Sequence, residues 1–198
     1  MKTLGVLLFP GFETLDVFGP IEIFGLLPEQ FKIVLIAQNQ GLIKSVQGQS
    51  VFAEYDFTNV TELNYLLVPG GLGTRTEIDN STLIAWIKAQ SVKLELVLSV
   101  CTGAALLAKA GVLDGHKATT NKIAFNWVAK QGPDVDWIKK ARWVDDGKYI
   151  TSSGISAGID MSLYVVSRQL GTEVAASVAQ RAEYTMNLNA DNDPFMID

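Results

Sequence analysis

Leu94-Glu95-Leu96-Val97-Leu98-Ser99-Val100-Cys101-Thr102-Gly103-Ala104-Ala105-Leu106-Leu107-Ala108-Lys109-Ala110 changes character at one residue. Leu94 to Val100 is a short apolar run of the kind a strand buried on both faces carries. Thr102 to Ala110 is a small-residue stretch that reads as a helix, and Gly111 and Gly115 close that region. Cys101 stands at the joint. A residue there lies on a tight turn with its side chain over the sheet edge, and small neighbours let the turn close, as in a nucleophile elbow. A helix start adds unpaired N–H groups and partial positive charge, which lowers a thiol's pKa. The plainer reading is a buried cysteine acting as a small apolar residue; the strand–Cys–small–helix setting favours the nucleophile.

Outward from this joint, strands and helices alternate. Leu4–Phe9, Phe31–Ala37, Leu63–Val68 and the brief Ala118–Thr120 read as strands, and Leu42–Ala53 as a hairpin between Gly41 and Gly48. Leu15–Leu27, Thr82–Gln90, Ile123–Lys130, Ala157–Leu170 and Thr172–Asn187 carry helical spacing, with a break or kink expected at Gly19-Pro20 and Thr172 as an N-cap. Asp145-Asp146-Gly147 marks a second hairpin. The alternation implies one α/β domain over residues 1–198, a three-layer sandwich around a mainly parallel sheet. Ligands in such sheets sit beyond the carboxyl ends of the strands, which singles out Phe9-Pro10-Gly11, Val68-Pro69-Gly70-Gly71 and Ser99-Val100-Cys101.

Composition narrows the chemistry. The chain of 198 residues holds one cysteine and one histidine. An intrachain disulfide, a Cys/His zinc site, an HExxH helix and a CxxC motif all need more than that. No glycine-rich nucleotide loop is present, so the reading is of no metal and no cofactor. Sixteen basic residues against 21 acidic ones, a net charge of −5, argue against nucleic acid or an anionic membrane as partner. No apolar run approaches the ~18 residues a bilayer span needs, and the start lacks a signal peptide's cleavage pattern. The expectation is a soluble cytoplasmic protein acting on a small molecule. Asn59-Val60-Thr61 and Asn80-Ser81-Thr82 match the glycosylation pattern by chance in that compartment.

The acid–base partner of Cys101 is not His116. The helix after Cys101 spans about ten residues, ~15 Å at the standard rise, and His116 follows it at the opposite end of the sheet as a solvated loop residue. A carboxylate or hydroxyl remains. Asp16, among Leu15, Val17 and Phe18, is the best carboxylate. Partial burial there raises its pKa, so a protonated carboxyl can donate to sulfur and return a proton. A first-turn helical Asp is the equally good plain reading. Glu13 competes, and Glu22 faces elsewhere. Backbone N–H groups of Gly70 and Gly71 are candidates for an oxyanion site, or an ordinary strand-ending turn. Arg75 and Glu77 read as a solvated loop. The four tryptophans fit core or interface equally. Phe12, Phe18 and Phe125 are core-type aromatics, and Phe12 is a candidate pocket wall.

At these residues the chain resembles the DJ-1/PfpI superfamily of the class I glutamine-amidotransferase-like, flavodoxin-like fold. The carriers are Leu7-Leu8-Phe9-Pro10-Gly11-Phe12 with Leu15-Asp16-Val17-Phe18-Gly19-Pro20, Val68-Pro69-Gly70-Gly71, and Ser99-Val100-Cys101-Thr102-Gly103-Ala104. Leu113-Asp114-Gly115 with Ala118-Thr119-Thr120, and Thr151-Ser152-Ser153-Gly154 with Ala157-Gly158-Ile159-Asp160, complete them. Cys-Thr-Gly and an Asp before Gly-Pro look like the isonitrile hydratases and the sensor domains of AraC-type regulators. Peptidase-like members carry His where this chain has Thr102. The ending Asp193-Pro194-Phe195 also looks like the hydratases. Many relatives read Thr-Thr-His-Trp where this chain has Thr119-Thr120-Asn121-Lys122, so a pocket histidine and an aromatic are absent. Ser153 and Ser156 stand where Gly and Thr are common.

The resemblance implies that Cys101 attacks an isonitrile carbon to give a thioimidate. It also implies that Asp16 supplies a proton and activates water, and that Thr102 holds the carboxyl or the water. Gly71 and Thr102 N–H polarise the intermediate, Gly154 and Ile155 line the pocket, and an N-substituted formamide leaves. No cofactor is implied, and a homodimer is. Two other readings stand beside this one: an enzyme acting on glyoxal or methylglyoxal, and a non-enzymatic redox or ligand sensor in which Cys101 oxidises beside a protonated carboxyl.

Overall fold

Runs that are apolar on both faces become interior strands, and runs with helical spacing become the layers that cover them. A computed structural model describes residues 1–60 and 62–196. Thr61 of the Asn59-Val60-Thr61 pattern and the last two residues of the polar tail lie outside the described residues. The chain opens with β1 (Lys2–Leu7), α1 (Thr14–Gly25), β2 (Phe31–Ala37), the hairpin β3 (Gly41–Lys44) and β4 (Ser50–Ala53), β5 (Tyr55–Asp56) and β6 (Tyr65–Val68). It continues through α2 (Thr74–Glu77), α3 (Ser81–Lys93), β7 (Leu96–Ser99), α4 (Gly103–Lys109), β8 (Lys117–Ala118) and α5 (Phe125–Ala129). It closes with β9 (Asp136–Trp137), β10 (Trp143–Asp146), β11 (Tyr149–Ser152), α6 (Ala157–Leu170) and α7 (Thr172–Arg181).

Seven strands form the main sheet in the order β10-β11-β7-β6-β1-β2-β5. Every pairing is parallel except β10 with β11. The strand order turns outward in both directions from the β1–β6 pair, the switch point at which such sheets open a crevice at their carboxyl ends. In register, Val6 faces Leu67 and Val68 faces Ser99, so β1, β6 and β7 release their chains side by side. On one face α1 packs on α6 and α6 on α7; on the other α4 packs against α2, α3 and α5. β6 and β7 are buried throughout. The two rims differ from the centre: β5 has two residues, and β10 is the antiparallel strand. No helix among the described residues is long and apolar enough to cross a membrane.

Some local expectations change. α1 runs through Pro20 without a break. Gly171, not Thr172, precedes α7, which ends at Arg181, short of Asn187. The strand expected at Ala118–Thr120 is only Lys117–Ala118, because Thr119 and Thr120 turn their side chains to hydrogen bonds. Arg75 and Glu77 form a helical turn rather than a solvated loop. The Arg75 guanidinium carbon sits 3.5 Å from the centre of the Trp127 ring, and Glu77 is buried and accepts from Asn80 Nδ2. Trp86 and Trp143 are core, the former stacked on Phe57.

Candidate functional site

Cys101 occupies the turn between β7 and α4 with φ of +58°, a backbone conformation rare outside glycine. Its surroundings hold it there. Cys101 N–H is shared between the carbonyls of Ser152 (3.2 Å) and Ser153 (3.1 Å), and its own carbonyl accepts the Thr120 hydroxyl at 2.7 Å. Strain of this kind persists only where neighbouring structure over-determines it, and it gathers at functional sites.

The three strand ends meet around the sulfur. Asp16, in the first turn of α1, is fully buried and accepts Gly70 N–H on Oδ2 at 2.8 Å. Asp16 Oδ1 has no hydrogen-bond partner among the described residues. Burial holds the carboxyl well above the usual carboxylate range; Gly70 N–H and the neighbouring Cys101 thiol pull the other way, and Glu13 adds to the rise. Asp16 therefore keeps its proton to higher pH than an exposed carboxyl does.

The thiol contradicts the expectation of a depressed pKa. Burial pushes Cys101 far up, and the negative charge of Asp16 adds to this, whereas Thr102 N–H and the Asn121 side chain favour the thiolate. Desolvation wins because Cys101 is only 6% exposed. The resting pair is a neutral thiol beside a carboxyl that resists ionisation.

Three further expectations need correction. Gly70 and Gly71 do not offer free N–H groups: the first donates to Asp16 and the second to Thr102 Oγ1 at 3.0 Å. Thr102 correspondingly holds the Gly71 turn and meets the Thr74 hydroxyl at 3.1 Å instead of bonding the Asp16 carboxyl. Only glycine fits at 70, because a Cβ would lie 2.5 Å from Thr102 N and 2.9 Å from Asp16 Oδ2. Phe12 is wholly buried in the core and does not line the cavity described next.

A cavity of about 500 Å³ is lined by Gly154 and Asn121, the residues that lie against the sulfur, and by Ile123, Ile155, Phe195 and Met196 among others. Gly154 brings the wall to the thiol. A Cβ there would meet Asn121 Nδ2 at 2.1 Å and Cys101 Sγ at 3.3 Å, so amide and sulfur face each other across it. Asn121 Oδ1 accepts Ala124 N–H at 2.9 Å, which turns the amide nitrogen toward the sulfur. Asn121 is the residue the sequence reading noted only as a missing histidine; its signal was its place directly after Thr120, whose hydroxyl anchors Cys101.

His116 sits elsewhere. Its Nδ1 is 2.8 Å from Asp146 Oδ2 and its ring leans on Tyr149. Tyr149 pairs with Val97 near the start of β7, whereas Cys101 follows its end. His116 is half-buried and paired rather than a free loop residue. No group of three or more His, Cys, Asp or Glu suited to a metal occurs among the described residues.

Comparisons place this geometry. An isonitrile hydratase of Pseudomonas putida is 31% identical over 182 residues, 91% of this chain and 78% of that protein. A helix-turn-helix transcriptional regulator, GbdR, of Pseudomonas aeruginosa is 26% identical over 137 residues, 69% of this chain and 37% of the regulator. The crystal structure of a ThiJ/PfpI family protein from Pseudomonas syringae superposes with a TM-score of 0.84 at 28% identity, covering 98% of this chain and 77% of that one. The DJ-1/PfpI family profile matches residues 2–168. That match runs from β1 into α6 and takes in each strand end that converges on Cys101, so the chain belongs to the DJ-1/PfpI family.

Proposed function

We propose that this chain hydrates a small neutral electrophile, an isonitrile, at Cys101. The observation that carries the reading is a buried thiol and a proton-holding carboxyl side by side, behind Gly154 and Asn121 in the wall of a largely apolar cavity. Addition of a thiol to an isonitrile carbon consumes one proton, so a neutral thiol is a suitable reactant and no prior ionisation is required. Sulfur bonds to the terminal carbon, and that carbon takes a proton from Asp16. Asp16 recovers a proton from the S–H, which leaves the thioimidate R–N=CH–S–Cys101. Asp16 then gives its proton to the imine nitrogen while water adds to the carbon, takes the water's proton in return, and leaves R–NH–CH(OH)–S–Cys101, whose hydroxyl proton passes to the departing sulfur. The carbon–sulfur bond breaks, the thiol regains its proton, and the formamide R–NH–CHO leaves. The Asn121 amide and Thr102 N–H face the sulfur and stabilise negative charge there.

The test is a substrate panel: alkyl and aryl isonitriles against methylglyoxal, with formamide followed by mass spectrometry. Formamide from at least one isonitrile is the expected result. Methylglyoxal consumption without formamide would transfer the assignment to the carbonyl substrate. The regulator relative favours a second reading, in which the cavity binds a ligand without turning it over. Saturable binding of an isonitrile with no product would select it.

The role of Asn121 has its own readout. Asn121→Asp keeps an oxygen for Ala124 N–H but replaces the donor facing sulfur with negative charge. The thiol pKa then rises, and alkylation of Cys101 by iodoacetamide at pH 8 is expected to slow by about tenfold. An unchanged pH–rate profile would show that the amide does not act on the sulfur.

A further inference from the structure

The tail after α7 is tied down far more firmly than a surface terminus requires. Tyr184 Oη and Asn187 N–H donate to Asp160 Oδ1 at 3.0 and 2.9 Å. Arg142 N–H donates to the Ala190 carbonyl at 2.7 Å, and Asp193 N–H to the Lys140 carbonyl at 2.7 Å. The Asp193 side chain is buried. Its Oδ1 accepts Phe195 N–H at 3.0 Å and lies 3.7 Å from Arg142 Nη1. Arg142 is itself locked to Asp160 by Nε–H at 2.7 Å, and its carbonyl accepts Ser153 N–H at 2.8 Å. One buried ionic cluster thus joins the tail to the segment that carries Gly154.

Burying a carboxylate costs free energy unless its partners compensate. Here the cluster does not bury the tail's aromatic. Phe195 remains 67% exposed while forming, with Met196, one wall of the cavity that Gly154 and Asn121 separate from Cys101. An apolar ring held at a cavity wall but left in water gains burial only when something apolar fills the space beside it.

We propose that Phe195 and Met196, held in place by Asp193, form a specificity wall that selects molecules presenting an apolar arm to Cys101. Ile123 and Ile155 face the same space, and Lys122, which also lines it, turns its ammonium to Thr119 Oγ1 and the Ala141 carbonyl, so the arm is a neutral hydrocarbon or aryl group rather than a charged one. Asp193 is a positioning residue in this scheme; the contact belongs to Phe195 and Met196. The inference rests on the reading of Cys101 as the reacting group and specifies the kind of substrate that group meets.

The test uses the full chain and its single thiol. Alkylation rates of Cys101 are measured with iodoacetamide and with N-benzyliodoacetamide, in wild type, Phe195→Ala and Asp193→Asn. Wild type is expected to react faster with the benzyl reagent. Phe195→Ala should lower the ratio of benzyl to parent rate by about tenfold, the loss of roughly one buried apolar contact surface, while the iodoacetamide rate stays within about twofold. Asp193→Asn should lower the same ratio and speed hydrogen exchange across residues 189–196. A wild-type ratio of one or less, or a ratio unmoved by Phe195→Ala, would overturn the proposal. Phe195 is a surface change, so the test stands even where Asp193→Asn folds poorly. No isonitrile is involved, so failure of this selectivity and failure of isonitrile hydration are read separately.

Discussion

Cys101→Ala is expected to bring formamide production to the uncatalysed background, a loss on the order of 10⁴-fold or more if sulfur forms the covalent intermediate. Nothing else in the site substitutes for it: the chain has one cysteine, and the hydroxyls nearest to it are engaged, Thr102 with Gly71 and Thr120 with the Cys101 carbonyl. Structure should survive the change. Alanine inherits the φ of +58° that cysteine already tolerates, and the change removes a single buried atom. The melting temperature should move by less than about 5 °C. Turnover retained in Cys101→Ala would remove the sulfur from the mechanism while leaving the fold untouched, so rate and melting temperature must be measured together.

Asp16→Asn is expected to cost roughly 10²- to 10⁴-fold in rate, the usual range for a positioned acid–base group. The amide oxygen can still accept Gly70 N–H, but the side chain no longer delivers or recovers a proton. Its stability signature is independent of activity. Burial raises the folded-state pKa of Asp16 above its unfolded value, so the folded chain holds a proton that the unfolded chain releases. The stability this proton contributes is whole below about pH 4 and is lost as pH rises through the folded value. Asp16→Asn has no such loss. Its melting temperature relative to wild type should therefore climb with pH above the ordinary carboxylate range. A constant difference across pH 4 to 8 would show that Asp16 is not the buried acid.

Much of the architecture was legible because local pattern and burial coincide. Phe31–Ala37 and Ala157–Leu170 appear as read, since both are bounded by unambiguous signals and covered by neighbours that reinforce them. The approach of Asp16 to Cys101 was legible through the rule for strand ends. What escaped the sequence depends on distant contacts. Whether Gly70 N–H is free is decided by Asp16, 54 residues away. Whether the thiol ionises is decided by how completely its neighbours bury it, and helix-start arguments are blind to that. Asn121 was visible only as an absence, because its orientation is set by Ala124. Phe12 and Phe195 exchange roles: the aromatic in the patterned segment goes to the core, and the one in the polar tail reaches the cavity.

The rims of the main sheet bear on how copies of this chain can meet. A strand rim with unpaired backbone groups invites another chain to continue the ladder. Here β5 lasts two residues before Asp56 takes the N–H groups of Thr58 and Asn59 and bends the chain away. At the other rim, Ala190 of the tail accepts from Arg142 and Trp143 where β10 begins, and Asp145 and Asp146 end that strand with carboxylates. Edge-to-edge growth of the main sheet is thus opposed at both rims. The tail that walls the cavity also guards the sheet against templated aggregation, so truncating it should carry a solubility cost separate from any effect on chemistry.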